Sequence, residues 1–298
     1  MRAKILFFGL LASFFFSFTF ILNRSMSLTG GHFIWSTSLR YIFSLPFLFI
    51  IVLIRRNLTT IHNAIRKNLF AWIIWSTVGF GLFYLPLTFA SNYGSSWLIA
   101  ATWQFSIVAG ILMTPLFGHK IPKSNLYIAS MILIGVFIMQ VKNFASFRIL
   151  DIIYCLFPVM IAAISYILGN RKMMQYCPEN ISTIERIYGM TLCSMPLWII
   201  CSIYAFLKVG LPTNSQIVQS FLVCILSALI ATILFFYATD LAKGNPKLIA
   251  VAESTIAGEV IFTVIGGYIL LKDPMPDVWG WIGLIIIISG IILNAKEK

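Results

Sequence analysis

The sequence predicts an all-α membrane protein of ten transmembrane helices, built as two inverted five-helix repeats. Three observations lead there. The 298-residue chain is 60% hydrophobic and only 10% charged, with a mean hydropathy of +0.95. A soluble domain carries about 25% charged residues, so this chain has too little polar surface to coat itself in water. Its apolar runs approach the ~20 residues that a helix needs to span a bilayer, and its two halves echo each other. The alternating pattern of a membrane barrel, with strands of ~10 residues, is absent.

The apolar runs fall at 4–22, 33–54, 69–91, 96–117, 124–141, 151–169, 184–207, 217–239, 247–271 and 277–294. The first follows a basic start, as a signal peptide would. It is long for that role and has a later counterpart, so it is expected to stay as a membrane helix. The second carries Arg40 within its apolar length. Pro86, Pro115, Pro158 and Pro196 interrupt the third, fourth, sixth and seventh, and a proline in a membrane helix frees a carbonyl and permits bending. The ninth, "IAVAESTIAGEVIFTVIGGYILL" in its apolar stretch, carries Glu253 and Glu259. Short connections such as "TGG" at 29–31 and "KGNP" at 243–246 join the runs.

Orientation follows from the basic residues. With both termini in the cytoplasm, the inner side receives 14 Lys and Arg and the outer side 5. That asymmetry obeys the positive-inside rule and places the chain in the cell (inner or plasma) membrane as a multi-pass protein. It also accounts for much of the net charge of +12, so no nucleic-acid partner is expected. The five cysteines are odd in number and sit mostly in apolar runs, as core thiols do. The three histidines lack spaced partners, so no metal and no cofactor are expected.

Four matches recur in the same order, about 150 residues apart. "FILNRSM" at 20–26 matches "YILGNRKM" at 166–173, and Arg40 matches Arg186. "LTFASNYGSSWLIAAT" at 87–102 matches "FFYATDLAKGNPKLIAVA" at 235–252, and "HKIPKSNLYIASMILIGVFIM" matches "LKDPMPDVWGWIGLIIIISGII". An odd number of helices in each half makes the second copy enter the membrane from the opposite side. The expected repeats are 1–143 and 148–298. Secondary transporters use this arrangement, with a substrate site at the midplane between repeats.

On the two halves, on Arg40 and its echo Arg186, and on "ATWQ" at 101–104 with "AESTIAGE" at 252–259, the chain resembles the ten-helix branch of the drug/metabolite transporter superfamily. It looks most like the multidrug-resistance efflux type. The resemblance implies a secondary active transporter, with proton-coupled export of organic cations, drugs or small metabolites by alternating access. The competing readings are a polytopic membrane enzyme and a non-transporting scaffold. No motif of a membrane enzyme is present, so no catalytic residue is assigned. The expected partners are protons, lipid and a small molecule, with cationic compounds foremost. Monomer and homodimer both stay open.

The site is expected around Glu259. A carboxylate at the bilayer centre costs about 2.5–3.5 kcal/mol and by default marks a functional site. Read as the middle of a continuous helix, Glu259 has Thr255 and Thr263 as its i±4 neighbours, a small polar stripe. Glu253 lies six residues earlier, about 120° around the axis, as a gate residue or an anchor for arginine. Gln104 is expected opposite Glu259, Trp103 as a cation–π face, and Arg40 as a partner for a carboxylate or a substrate anion. Tyr84 and Tyr237 are candidates for an aromatic lining. Arg186 reads as a surface partner of Glu185, and Asn23 and Asn170 as helix caps. The bland alternative for Glu259 is a structural acid paired with an arginine.

Overall fold

A computed structural model describes residues 1–118, 120–121, 123–139, 141, 149–178, 180–242, 248, 251–252 and 255–297. Among these residues every regular element is helical. Six helices are long and apolar enough to cross a membrane: α1 (Arg2–Leu28), α2 (Phe33–Ile54), α4 (Leu69–Ala90), α7 (Ile149–Tyr176, apolar from Ile153), α8 (Thr183–Val209) and α9 (Asn214–Leu241). Four shorter apolar helices accompany them: α5 (Ser96–Leu112), α6 (Lys123–Ile138), α10 (Ala257–Leu271) and α11 (Val278–Glu297). Large side chains such as Phe7, Ile54, Phe70, Ile200 and Ile269 stand exposed on the outside, as lipid-facing residues do.

Three expectations need correcting. The first is α3 (Leu58–Lys67), a short helix between α2 and α4 that apolar runs alone did not reveal. Only Ile61, Ala64 and Ile65 are buried, so one face packs against α8 while the rest stays polar. The second is the ninth segment. The expected continuous helix over 247–271 is interrupted: Thr255 and Ile256 form a turn, and α10 begins at Ala257. Asn23 and Asn170 are likewise not caps, because α1 and α7 run on past them to Leu28 and Tyr176.

Hydrogen bonds at the helix ends orient the bundle. Asn57, just past α2, donates from Nδ2 to Glu185 Oε1 at 2.6 Å, at the start of α8. Trp35, near the start of α2, donates from Nε1 to the Gly210 carbonyl at 3.0 Å, just past α8. The two helices are therefore antiparallel. One end of the bundle, here called proximal, carries Met1, the end of α2 and the start of α8. The distal end carries the α1–α2 turn and the end of α8.

Helix packing follows a paired scheme. α2 packs on α8, α6 on α11 and α5 on α10. α1 lies against α9 and α10, while α7 lies against α4 and α5. Local irregularities pair as well: Pro46 lies inside α2 and Pro196 inside α8, and wide π turns interrupt α4 at Thr77–Gly81 and α9 at Cys224–Ala231. The closest helix approaches use glycine. Gly169 of α7 sits against the backbone of Gly79 in α4, and Gly135 of α6 faces Gly283 of α11. Without a hydrophobic drive between helices in lipid, such close contact supplies the packing energy.

The fold yields a matched test. A methyl group added at Gly169 would fall on the Gly79 backbone, whereas one at Gly258 meets the tips of Leu10 and Phe262 at 3.2 Å and 3.4 Å. Gly169→Ala is expected to lower the melting temperature in detergent, at a cost of about 1–3 kcal/mol for overpacking. Gly258→Ala is expected to leave it nearly unchanged.

Candidate functional site

The site forms where two helices break. In α5 the helix pauses at Gln104, between Ser96–Trp103 and Phe105–Leu112. The break is held by three-residue turns: the Gln104 N–H donates to the Ala101 carbonyl and the Ile107 N–H to the Gln104 carbonyl. At the start of α10 the Gly258 and Glu259 N–H groups bond in the same way to Thr255 and Ile256. The Thr255 carbonyl also accepts from Ser13 Oγ of α1 at 2.6 Å. Because α5 packs on α10, the two breaks bring Gln104 and Glu259 to the wall of one cavity, where Gln104 Nε2 donates to the Ala100 carbonyl at 3.3 Å.

Glu259 thus stands in the first turn of α10 rather than in mid-helix. The helix N-terminus favours a carboxylate there by about 0.3–1 kcal/mol. Its depth is little changed: Leu271 lies 12 residues on, about 18 Å along the axis. The side chain is only 7% exposed. Among the described residues it forms no ion pair; the one such pair is Arg24 with Asp273.

Glu259 lines a cavity of about 420 Å³. Gln104, Trp103, Arg40 and Arg186 line the same space. Trp103, Phe83 and Tyr166 form an aromatic wall, with ring centroids 5.0–5.5 Å apart. Arg40 of α2 holds its guanidinium 4.1 Å from the Tyr84 ring centroid and 6.0 Å from that of Tyr41. Tyr84 itself is fully buried behind Arg40, where its hydroxyl accepts from Asn23 Nδ2 at 2.8 Å. Tyr41 stacks flat on Trp198 at 4.4 Å, which fixes the wall beneath the arginine.

The cavity reaches the proximal end, where Thr183 and Arg186 lie in the first turn of α8, and Asn170 lines it from α7. The distal end is tied shut. Asp273, beyond α10, pairs with Arg24 Nε of α1 at 3.7 Å. It accepts from Ser96 N and Oγ at 2.8 Å and 2.6 Å, at the start of α5. Trp97 Nε1 donates to the Pro274 carbonyl at 2.9 Å, and Arg24 Nη1 to the Ser91 carbonyl at 2.8 Å.

Not every candidate converges on this space. Tyr237 lies on the outside of the bundle, 48% exposed, edge-on to Phe8. Thr255 is buried at the helix break, where its hydroxyl donates to the Ala252 carbonyl at 2.6 Å, and does not line the cavity. Glu253 lies outside the described residues. Arg186 is not held by Glu185, which instead accepts from the Ser182 N–H and from Asn57. Tyr166 and Asp273 gave no signal of their own and Asn170 read as a cap; their place emerges only from helix packing.

A polytopic helical bundle with a largely apolar cavity that carries a few charged and amide groups is an arrangement that membrane transporters use. A family model described as "EmrE: Putative multidrug resistance efflux transporter" matches residues 3–298, and the chain belongs to that family. It is 46% identical over 299 residues to "Uncharacterized protein YjlA" of Bacillus subtilis (strain 168), covering 96% of this chain and 92% of that one. It is 44% identical over 269 residues to an uncharacterized 42.1 kDa protein of Shouchella clausii, covering 87% of this chain and 70% of that one. One crystal structure superposes with a TM-score of 0.65 over 98% of this chain and 97% of its own, at 16% identity. That likeness bears on the fold alone.

The cavity can be probed with thiol reagents in a background lacking the native cysteines. Ser106→Cys and Thr232→Cys, on the cavity wall, are expected to react with a charged methanethiosulfonate. Ile99→Cys, fully buried outside it, is expected to stay unmodified. Equal protection of all three would show that the cavity is dry.

Proposed function

We propose that the protein is a secondary active transporter that exports a small molecule in exchange for protons by alternating access. In this reading 1–143 and 148–298 are inverted five-helix repeats, and both termini are cytoplasmic. Support comes from the paired packing scheme, from the matching positions of Pro46 and Pro196, and from the two π turns. The proximal end is then cytoplasmic and the structure is an inward-open state.

The reading rests on one observation: a carboxyl group that forms no ion pair among the described residues shares with the Gln104 amide a cavity that reaches the proximal end of the bundle. A structural acid needs an ion-pair partner at this depth, and among the described residues Glu259 has none. An acid beside an amide and a cavity can bind and release a proton with little rearrangement of its neighbours. Substrate and proton then compete for the same place, and the protein moves one against the other. Asp273, Arg24 and Ser96 act as the distal gate, which must open for release.

Two measurements test it. In proteoliposomes carrying a pH gradient, Glu259→Gln is expected to fold and bind but to lose gradient-driven flux. Gradient-driven flux at the wild-type rate in that variant would refute the proton role. Asp273→Asn weakens the distal tie. It is expected to increase labelling of a cysteine placed at Ser91, on the distal side, under conditions where the wild-type tie keeps that position protected.

A further inference from the structure

A second charged cluster lies outside the cavity, where the ends of α5 and α7 meet. The connection 177–182 is too short to cross the bundle, so α7 ends where α8 starts, at the proximal end. Arg171 lies 18 residues beyond Ile153, about 27 Å along the axis, against a hydrocarbon core of about 30 Å. It therefore stands at the level of the lipid headgroups. Its guanidinium lies 5.5 Å from the ring centroid of Phe117, and Lys172 Nζ lies 5.4 Å from the same centroid. Lys172 Nζ is also 5.9 Å from the Trp75 ring of α4. A Cβ added at Gly110 of α5 would stand 3.5 Å from Arg171 Nη2. Both cations are half-buried, and neither forms an ion pair or a hydrogen bond among the described residues. The stretches that meet here, 69–90, 96–117 and 153–176, contain no Asp or Glu. The repeat sharpens the point. Arg171 of "YILGNRKM" matches Arg24 of "FILNRSM", and Arg24 is held by Asp273. The residue of "HKIPK" that matches Asp273 of "LKDPM" is Ile121, so the second arginine has no matching acid.

We propose that this cleft binds an anionic phospholipid of the leaflet at the proximal end. Its phosphate sits on the Arg171 guanidinium, and Lys172 adds a second charge at nearly the same depth, one residue or about 1.5 Å along the axis. A guanidinium holds phosphate through two parallel hydrogen bonds, and basic pockets between membrane helices seat lipid headgroups. Leu112 and Leu116 at the end of α5, with Met174 of α7, stand exposed as an apolar surface for acyl chains. That surface favours a lipid over a soluble phosphate compound. Bound there, the lipid ties the Thr114–Phe117 turn to α7. Neither Arg171 nor Lys172 lines the Glu259 cavity, so the lipid does not compete with a proton or a substrate there.

Native mass spectrometry of the full-length protein reads the lipids it retains from micelles holding equal phosphatidylglycerol and phosphatidylcholine. The wild type is expected to retain phosphatidylglycerol in preference. The double variant Arg171→Gln, Lys172→Gln is expected to bind it about tenfold or more weakly, the loss for one charged hydrogen bond. Arg171→Lys is expected to fall between. The double variant Arg55→Gln, Arg56→Gln removes two exposed charges from the same end of the bundle and is expected to keep the preference. Added phosphatidylglycerol is expected to raise the melting temperature of the wild type and not that of the Arg171, Lys172 variant. A wild-type melting temperature for that variant in phosphatidylcholine separates lost binding from lost fold. Equal retention of both lipids by the wild type overturns the proposal, as does an unchanged preference in the Arg171, Lys172 variant. An equal loss in the Arg55, Arg56 variant would show diffuse attraction to a basic end and overturn it too. So would release of the lipid by inorganic phosphate or glycerol phosphate, which would mark a site for a soluble anion. No flux enters these readouts, so the transporter reading can fail while this inference stands.

Discussion

Backbone that leaves the helix at membrane depth must find partners for the groups it frees, because lipid offers none. The rest of the structure depends on that constraint. Lipid-exposed breaks do not occur, so the pauses at Gln104 and at Thr255–Ile256 have to face protein or a cavity. They do both. Tight turns take up the nearest N–H groups, and Ser13 of α1 takes up the Thr255 carbonyl. At the other break the Gln104 amide itself donates to the Ala100 carbonyl, and the side chains at both breaks reach the cavity wall. Gln104 and Glu259 are those side chains.

The same constraint governs the charges. An ion stripped of water costs several kcal/mol even after the protein relaxes. Arg24 and Asp273 meet this cost together, with Ser96 supplying two more hydrogen bonds. Arg40 meets part of it through the Tyr84 ring, since a desolvated cation over an aromatic face gains about 2 kcal/mol. That leaves Arg40 Nη1 without a hydrogen bond, as it leaves Arg24 Nε at the distal tie. The distal charges thus face each other, while Arg40 faces an aromatic ring at the cavity wall.

Much of the helical content was legible in the sequence. The run at 33–54 coincides with α2, and 69–91 differs from α4 by one residue. Membrane helices are legible because their length is set by the bilayer and their composition by lipid, both local properties. Glu259, Gln104 and Arg40 were legible for the converse reason, being polar residues within apolar runs. What stayed hidden depends on neighbours distant in sequence. No local signal shows that α10 starts at Ala257, because the break is completed by Ser13, 242 residues away. Tyr237 and Tyr166 look alike in sequence; only the rotation of α9 and α7 sends one outward and the other into the cavity. Asp273 carries no local signal either; only the fold places it on Arg24 and Ser96.

On the transport reading proposed above, the irregular turns are where a tightly packed bundle bends. Gly79 and Gly169 clamp α4 to α7, and Gly135 and Gly283 clamp α6 to α11, so those pairs move as units. Bending must therefore happen inside helices. Pro46 and Pro196 each remove one backbone hydrogen bond from α2 and α8. The π turns in α4 and α9 already carry stretched hydrogen bonding that can shift along the helix. All four features flank the cavity at comparable depth, because Leu48, Phe80, Thr191 and Ser227 around them line it. On that reading, a flex there widens one end of the bundle and narrows the other. Opening the distal end, on the same transport reading, breaks the tie at Asp273 together with the Trp35–Gly210 and Gln216–His32 hydrogen bonds and the packing of Trp35, Leu39 and Ala205.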